Sequence, residues 1–291
     1  MRRSRYIQEK LGKGIAGVCM SETLMTHGNQ RLGTWVEALR MHIRAVMALM
    51  LREMHTRFGE AKAGYLWAVV EPMVHAVTLT LIVSHFGHAS PLGGSIETFI
   101  ATAVIAFFLF RDVEARIESA LHANRGLLYF PVVKPLDVIV ARFVLEFLTW
   151  LMVALVMMLV MAALGYETLP HDPVEVMLSL LGMALLGLGL GLFTAVINNF
   201  TLVWEKVLHV LLRPVYLLSG IVFLPSALPQ ELQDIIWYLP TAHGIDWMRQ
   251  GFYEGYESTF LNKAYLLVTG VVLLFLGLLL ERITRSRVRI E

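Results

Sequence analysis

A chain of 291 residues that is 57% hydrophobic and only 16% charged, with a mean hydropathy of +0.64, is not a soluble globular domain, which would carry about 25% charged residues. The net charge of +1 names no partner and gives no basis for nucleic-acid binding. A single cysteine, Cys19, excludes an internal disulfide framework and a cysteine-based zinc site, and fits a reducing compartment.

Residues 1–33 are polar and mixed. MRRSR is followed by LGKGIAGVCM, which is too polar and too glycine-broken for the apolar core of a signal peptide, and no apolar stretch precedes Cys19 as a lipoprotein signal would require. The expectation is an uncleaved cytoplasmic segment. From Thr34, a suitable N-cap, to Phe58, the residues Trp35, Leu39, Ile43, Val46, Met50 and Met54 recur every three or four positions. Arg40, Arg44, Arg52 and Arg57 interrupt that stripe. The spacing predicts an amphipathic helix within 34–62, lying at the cytoplasmic membrane surface.

A membrane-spanning helix needs about 20 mainly apolar residues. Six stretches qualify, at about 65–86, 97–118, 136–164, 174–197, 207–224 and 264–281, within a transmembrane domain of residues 63–291. The second reaches full length only if the helix after Thr98–Phe110 continues into the charged residues 111–118. The fifth contains His209, Arg213 and Pro214. Lysine and arginine number 11 before Tyr65, five across Arg111–Arg142 and four after Leu280, with Lys206 and Arg213 near the fourth-to-fifth connection. The connections Gly87–Glu97 and Gly165–Pro173 have none. That alternation predicts an even number of spans with both termini cytoplasmic.

Residues 225–263 are too long for a turn and too apolar for a solvated loop. Ile235, Ile236, Trp237, Tyr238, Trp247 and Phe252 suit the bilayer interface, and Pro229 and Pro240 are breakers. They predict two short helices that dip into the outer leaflet and return, broken near Pro240-Thr241. The fold expected is therefore all-α and integral to a membrane: six spans, an N-terminal interfacial helix, and a re-entrant outer segment between spans five and six.

Several residues stand out for chemistry. Glu71, before Pro72, lies deep in the first span, where an ionisable group is costly and by default functional. His75 is one turn on, within reach of it. Arg111, Asp112, Arg116 and Glu118 require water or cytoplasm rather than lipid. Arg142 and Glu146, at i,i+4, are expected to pair. Lys206, His209 and Arg213 share one face of the fifth helix and suit an anionic group such as phosphate. Gly187 and Gly191 have GxxxG spacing, expected to form a packing seam. His85 and His88 are too few for a metal site, and no His/Asp/Glu cluster is visible in the sequence. There is no GxSxG, no HExxH and no phosphate-binding loop around Gly12-Lys13, so the chain is expected not to hydrolyse ATP itself.

Four stretches carry a resemblance: GYLWAVVEPMVH (Gly64–His75), NRGLLYFPVVKPLDVIVARFVLE (Asn124–Glu146), RPVYLLSGIVF (Arg213–Phe223) and WYLPTAHGIDWMRQGFYEGY (Trp237–Tyr256). They resemble the membrane subunit of a type-2 ABC exporter, and more narrowly the permeases that export capsular polysaccharide from Gram-negative bacteria. Leu239 departs from the asparagine usual before the proline in the last stretch, and residues 1–33 have no counterpart.

The resemblance implies an inner-membrane homodimer with two copies of a separate ATPase, ATP and magnesium being held by that partner and no cofactor by this chain. Periplasmic and outer-membrane export proteins are further partners it suggests. The loop after the second span would form a coupling helix at about Ser119–Lys134. Ser119, Asn124, Arg125, Tyr129, Phe130 and Lys134 would be its contacts with the ATPase. The cargo would be an anionic, lipid-linked polysaccharide, with Trp67, Phe107, Phe110, Tyr216, Phe223, Trp237 and Tyr238 as surfaces for sugar rings. Glu71, Arg111 and Arg116 would share that path, and Lys206, His209 and Arg213 would take the anionic headgroup. O-antigen, teichoic acid, a lipid or a drug is an alternative cargo on the same fold. A secondary transporter is a more distant reading, against which stands the lack of an internal repeat.

Overall fold

The computed structural model describes residues 37, 39–56, 64–85, 90–128, 134–198, 200–201 and 203–288. Among them every regular element is helical, with no strand. The chain divides after Ala48 into two compact units. Helix α1 covers residues 39–56, and its first ten residues, in the smaller unit, expose Leu39, Met41, Ile43 and Met47. The Thr34 cap, Trp35 and Cys19 lie outside the described residues, as does His88.

The larger unit, from residue 49 on, holds α2 (Gly64–His85), α3 (Ile96–Glu118), the short α4 (Ala120–Ala123) and α5 (Arg125–Leu128), α6 (Pro135–Ala163), α7 (Pro173–Ile197), α8 (Trp204–Leu218), α9 (Gln230–Ile236), α10 (Pro240–Phe252) and α11 (Lys263–Val288). Leu66–His85, Pro135–Ala163, Pro173–Ile197 and Lys263–Thr284 are long and apolar enough to cross a membrane. The other two expected spans behave differently. Helix α3 is continuous from Ile96 to Glu118, capped by Ser95, whose hydroxyl accepts from the Thr98 amide. Every residue from Thr98 to Phe110 is buried. It is the centre of the unit, packed by α2, α6, α7 and α10, so its apolarity serves protein contacts rather than lipid.

The fifth expected span corrects to Trp204–Leu218. Its 15 residues rise only about 22 Å. Ser219 caps it, Gly220 follows at φ +82°, a left-handed geometry that stops a helix at little steric cost, and residues 221–224 are non-helical. The segment after it does contain two helices, α9 and α10, broken at 237–239. Leu239 sits at the N-cap of α10 and makes no side-chain cap bond, the function an asparagine would serve.

Helix α7 lies between α3 and α11, and its glycines explain how. A Cβ on Gly187 would meet the Phe110 carbonyl oxygen at 2.6 Å, and one on Gly191 the Glu114 carbonyl oxygen at 2.5 Å. A Cβ on Gly189 would instead meet the Gly270 carbonyl oxygen at 2.5 Å. The seam expected from the GxxxG spacing is thus against α3, and a second seam on the opposite face admits α11. Gly191→Leu is expected to destabilise the unit by about 3 kcal/mol, because the obstructing atom is backbone and the helices must separate. Gly126→Leu, at a position with open space around it, serves as the control. Fluorescence-detected size exclusion after a heating series measures the difference.

Candidate functional site

A cavity of about 780 Å³ opens between α2, α3 and α8. Helix α2 contributes Trp67, Glu71, Val74, His75 and Thr78, residues three or four apart and therefore on one face. Helix α3 contributes Phe107, Phe108 and Arg111, and α8 contributes His209, Leu212, Arg213 and Tyr216. The wall is mostly aromatic and aliphatic, with its charge at Glu71, Arg111 and Arg213.

Arg111 holds the charged part together. Its Nε donates to Asp112 at 2.9 Å, its Nη2 lies 3.6 Å from Glu71, and its guanidinium carbon stands 4.1 Å over the Phe108 ring. Glu71 therefore answers to Arg111 rather than to His75, which hydrogen-bonds the Tyr216 hydroxyl across the cavity. Tyr216 also meets Phe107 edge to face at 5.0 Å. Arg111 and Arg213 are both partly open to the cavity, on different helices. An anion entering between them would find two guanidinium donors beside a largely apolar wall, and bonds from guanidinium to an anion are among the stronger hydrogen bonds.

Of the residues expected on the path, Trp67, Glu71, Phe107, Arg111 and Tyr216 line this cavity, together with His209 and Arg213 of the anion set. Lys206 is exposed near the start of α8. Phe110 is buried behind Phe107, ring to ring at 5.7 Å. Arg116 points elsewhere, to Glu146 at 3.7 Å. Phe223 packs with Ile236, Ala242 and Phe260 in a separate apolar cluster. Trp237 stacks on Tyr265 at 4.9 Å, and Tyr238 is exposed beside it. Val74, Thr78 and Phe108 were not anticipated, although continuing the helical spacing from Trp67 and Glu71 reaches the first two.

The connection from α3 to α6 is tied back at several points. Arg142 pairs with Glu53 at 3.0 Å, and its Nη1 donates to the Arg116 carbonyl and the Ser119 hydroxyl. The expected Arg142–Glu146 pair is thus replaced by two longer-range ones, Arg142–Glu53 and Arg116–Glu146. Asn124 is buried, accepts from Arg52 and donates to the Ala120 carbonyl at 2.9 Å, so it anchors the connection from within. Lys134 is exposed at the N-cap of α6, where its backbone amide donates to Asp137. Tyr129, Phe130 and the Arg125 side chain lie outside the described residues.

A second polar group is fixed by α10. Arg249 is fully buried, donates to the Ile221 and Phe223 carbonyls at 3.0 and 3.2 Å, and lies 3.7 Å over the Phe99 ring. Asp246, one turn earlier, accepts from the Ser258 and Tyr256 hydroxyls. Burial first, and the Asp246 carboxylate second, push the Tyr256 phenol up to about 12, so it remains a donor at any physiological pH. This is framework: it pins the chain just after α8 to the α3–α10 contact.

The chain matches the description "ABC-2 type transporter" over residues 44–253, most of its length. The chain belongs to the ABC-2 type transporter family. This ABC-2 membrane protein is similar to the polysialic acid transport protein KpsM of Escherichia coli, 33% identical over 237 residues that cover 81% of this chain and 92% of that one. It is similar to the capsule polysaccharide export inner-membrane protein CtrC of Neisseria meningitidis, 30% identical over 84% of this chain and 92% of that one. BexB of Haemophilus influenzae, a capsule polysaccharide export inner-membrane protein, is 27% identical over 89% of this chain and 97% of that one. Within the ABC-2 protein, the matched region contains the cavity, the α3–α6 connection and all of α10.

Proposed function

We propose that this protein is the permease subunit of an ATP-driven exporter that moves an anionic, lipid-linked capsular polysaccharide across a bacterial inner membrane. The observation that carries the reading is the cavity between α2, α3 and α8, with aromatic walls and guanidinium groups from two helices. Sugar rings bury well against aromatic faces, and a phosphate link accepts from arginine forks. The similarity to capsule export proteins supports the same cargo class.

The accompanying architecture is six crossings made by α2, α3, α6, α7, α8 and α11, both termini facing the cytoplasm. The amphipathic α1 lies at the inner surface and α9–α10 form the re-entrant outer segment. The apolar surface of the outer helices, including Leu81 and Ile82 on α2 and Phe275 on α11, suits lipid or a second copy of the chain. Two such chains and two copies of a separate ATPase complete the exporter, the ATPase supplying ATP and magnesium chemistry. It would engage the α3–α6 connection, whose anchoring through Asn124, Ser119 and Arg142 suits an element that transmits motion as a rigid piece. Periplasmic and outer-membrane export proteins would receive the cargo.

Co-purification from the native membrane tests this reading. An ATPase subunit and a glycolipid are expected to accompany the protein. Replacing residues 125–130 by a glycine-serine stretch is expected to release the ATPase while membrane insertion persists. Unchanged ATPase binding and unchanged ATP-driven export in that variant would overturn the coupling assignment, and a different co-purifying cargo would overturn the substrate.

A further inference from the structure

Beside the cavity, at the Glu118 end of α3, three metal-ligating side chains from two helices converge. Glu114 and Glu118 stand one turn apart on α3, and His209 comes from α8; one donor atom of each lies within 4.8 Å of the others. Their spacing in the sequence hides them: no local motif joins residue 118 to residue 209.

Glu114 is the unexplained member. It has no exposed surface, and among the described residues neither carboxylate oxygen has a hydrogen-bond partner and no lysine or arginine pairs with it. An ionised carboxylate in that condition is among the costliest groups a fold can retain, and it must either take up a proton or be given a positive charge. On the facing helix α7, the Thr194 hydroxyl is also buried without a partner among the described residues. Glu118 divides its two oxygens: one accepts from the Asn198 amide at 2.7 Å, and the other lies 3.4 Å from His209 Nε2. An amide that fixes one oxygen while the second is presented is the usual outer support of a ligating carboxylate. Ligand atoms bound tetrahedrally to zinc at 2.0–2.2 Å are about 3.4 Å apart, which the Glu118–His209 pair already satisfies.

We propose that Glu114, Glu118 and His209 form a binding site for a divalent cation of the zinc class, joining α3 to α8. Two carboxylates and an imidazole are an oxygen and nitrogen set such an ion accepts, and two carboxylates neutralise its charge in the buried setting. Water would complete the coordination of an ion held by these three side chains. The ion would engage His209, which also lines the cavity, and would fix α8, whose only buried residue is Leu208, against the core helix.

The full chain, purified in detergent, stripped with chelator and passed into chelator-free buffer, is titrated with Co²⁺ and with Zn²⁺. Visible absorption reads the cobalt environment and plasma mass spectrometry counts retained zinc. One ion per chain is expected, with affinity reduced roughly tenfold or more in Glu114→Gln and in His209→Gln, and unchanged in His122→Gln, a histidine of the α3–α6 connection. Because His209 is half-exposed, its variant tests the site even if Glu114→Gln is not recovered folded. Absence of stoichiometric binding, or equal binding by wild type and His209→Gln, overturns the proposal.

Discussion

Arg249→Ala is expected to abolish recovery of folded protein. The guanidinium has no exposed surface, yet it has found partners for its fork in the Ile221 and Phe223 carbonyls and for its face in Phe99. Removing it leaves two carbonyls short of donors, strips the Asp246 carboxylate of its nearby positive charge, and opens a void beside α3. Breaking a buried charge arrangement of this kind costs about 3–5 kcal/mol, against a total stability on the order of 5–15 kcal/mol. Arg249→Lys restores the charge but not the planar fork or the stack, so it is expected to recover only part of the loss. Thermal unfolding followed by size exclusion in detergent provides the measurement. A monodisperse alanine variant with an unshifted midpoint would contradict the framework role.

Arg111→Ala and Arg213→Ala are each expected to reduce export of an anionic glycolipid by roughly tenfold to a hundredfold, at unchanged membrane content. That range corresponds to the ~1.5–3 kcal/mol typical of one hydrogen bond to a charged group. The two variants differ in a checkable way. Arg111 also faces Glu71 and Asp112, so its removal leaves two carboxylates uncompensated near the cavity and should repel an anion as well as fail to attract it. Glu71→Gln is therefore expected to restore part of the loss in Arg111→Ala but none of that in Arg213→Ala. Uptake of labelled glycolipid by inverted membrane vesicles, with the protein quantified in each preparation, distinguishes these outcomes. Full transport by both single variants would remove the cavity from the cargo path.

Much of the fold was legible because hydropathy and helix breakers act locally. The long apolar runs, the extension of the second helix past Phe110, and the paired helices around Pro240 all follow from nearest-neighbour rules. What escaped was set by distant contacts. Arg142 and Glu146 have ideal spacing for a helical pair, but each meets an oppositely charged group from another segment, Glu53 and Arg116. Glu71 and His75 likewise have the spacing to bond, and turn instead to α3 and α8. Asn124, expected as a contact with the ATPase, is buried and accepts from Arg52 of another helix, a partnership that no local spacing could show. The apolarity of Ile221–Phe223 suggests a longer fifth helix than the one observed; Gly220 and the bonds from Arg249 to the Ile221 and Phe223 carbonyls override that signal. Within the candidate site the α2 face was readable by periodicity. The selection of Phe107 over Phe110, and the convergence of Glu114 with His209, depend on the way α8 lies across α3.

The burial of α3 has a consequence for biosynthesis. This helix carries Arg111, Asp112, Glu114, Arg116 and Glu118 at one end, a combination that lipid will not accept unaided. The surfaces that enclose it are supplied chiefly by α6, α7 and α10, all translated later, and the glycine seam that admits its backbone belongs to α7. Order of synthesis and order of assembly are then expected to differ, with α3 made second among the expected spans but settling only once the fourth is present to receive it. A chain truncated before Pro173 is expected to retain α2 and α6 in the membrane while the charged end of α3 stays accessible to protease.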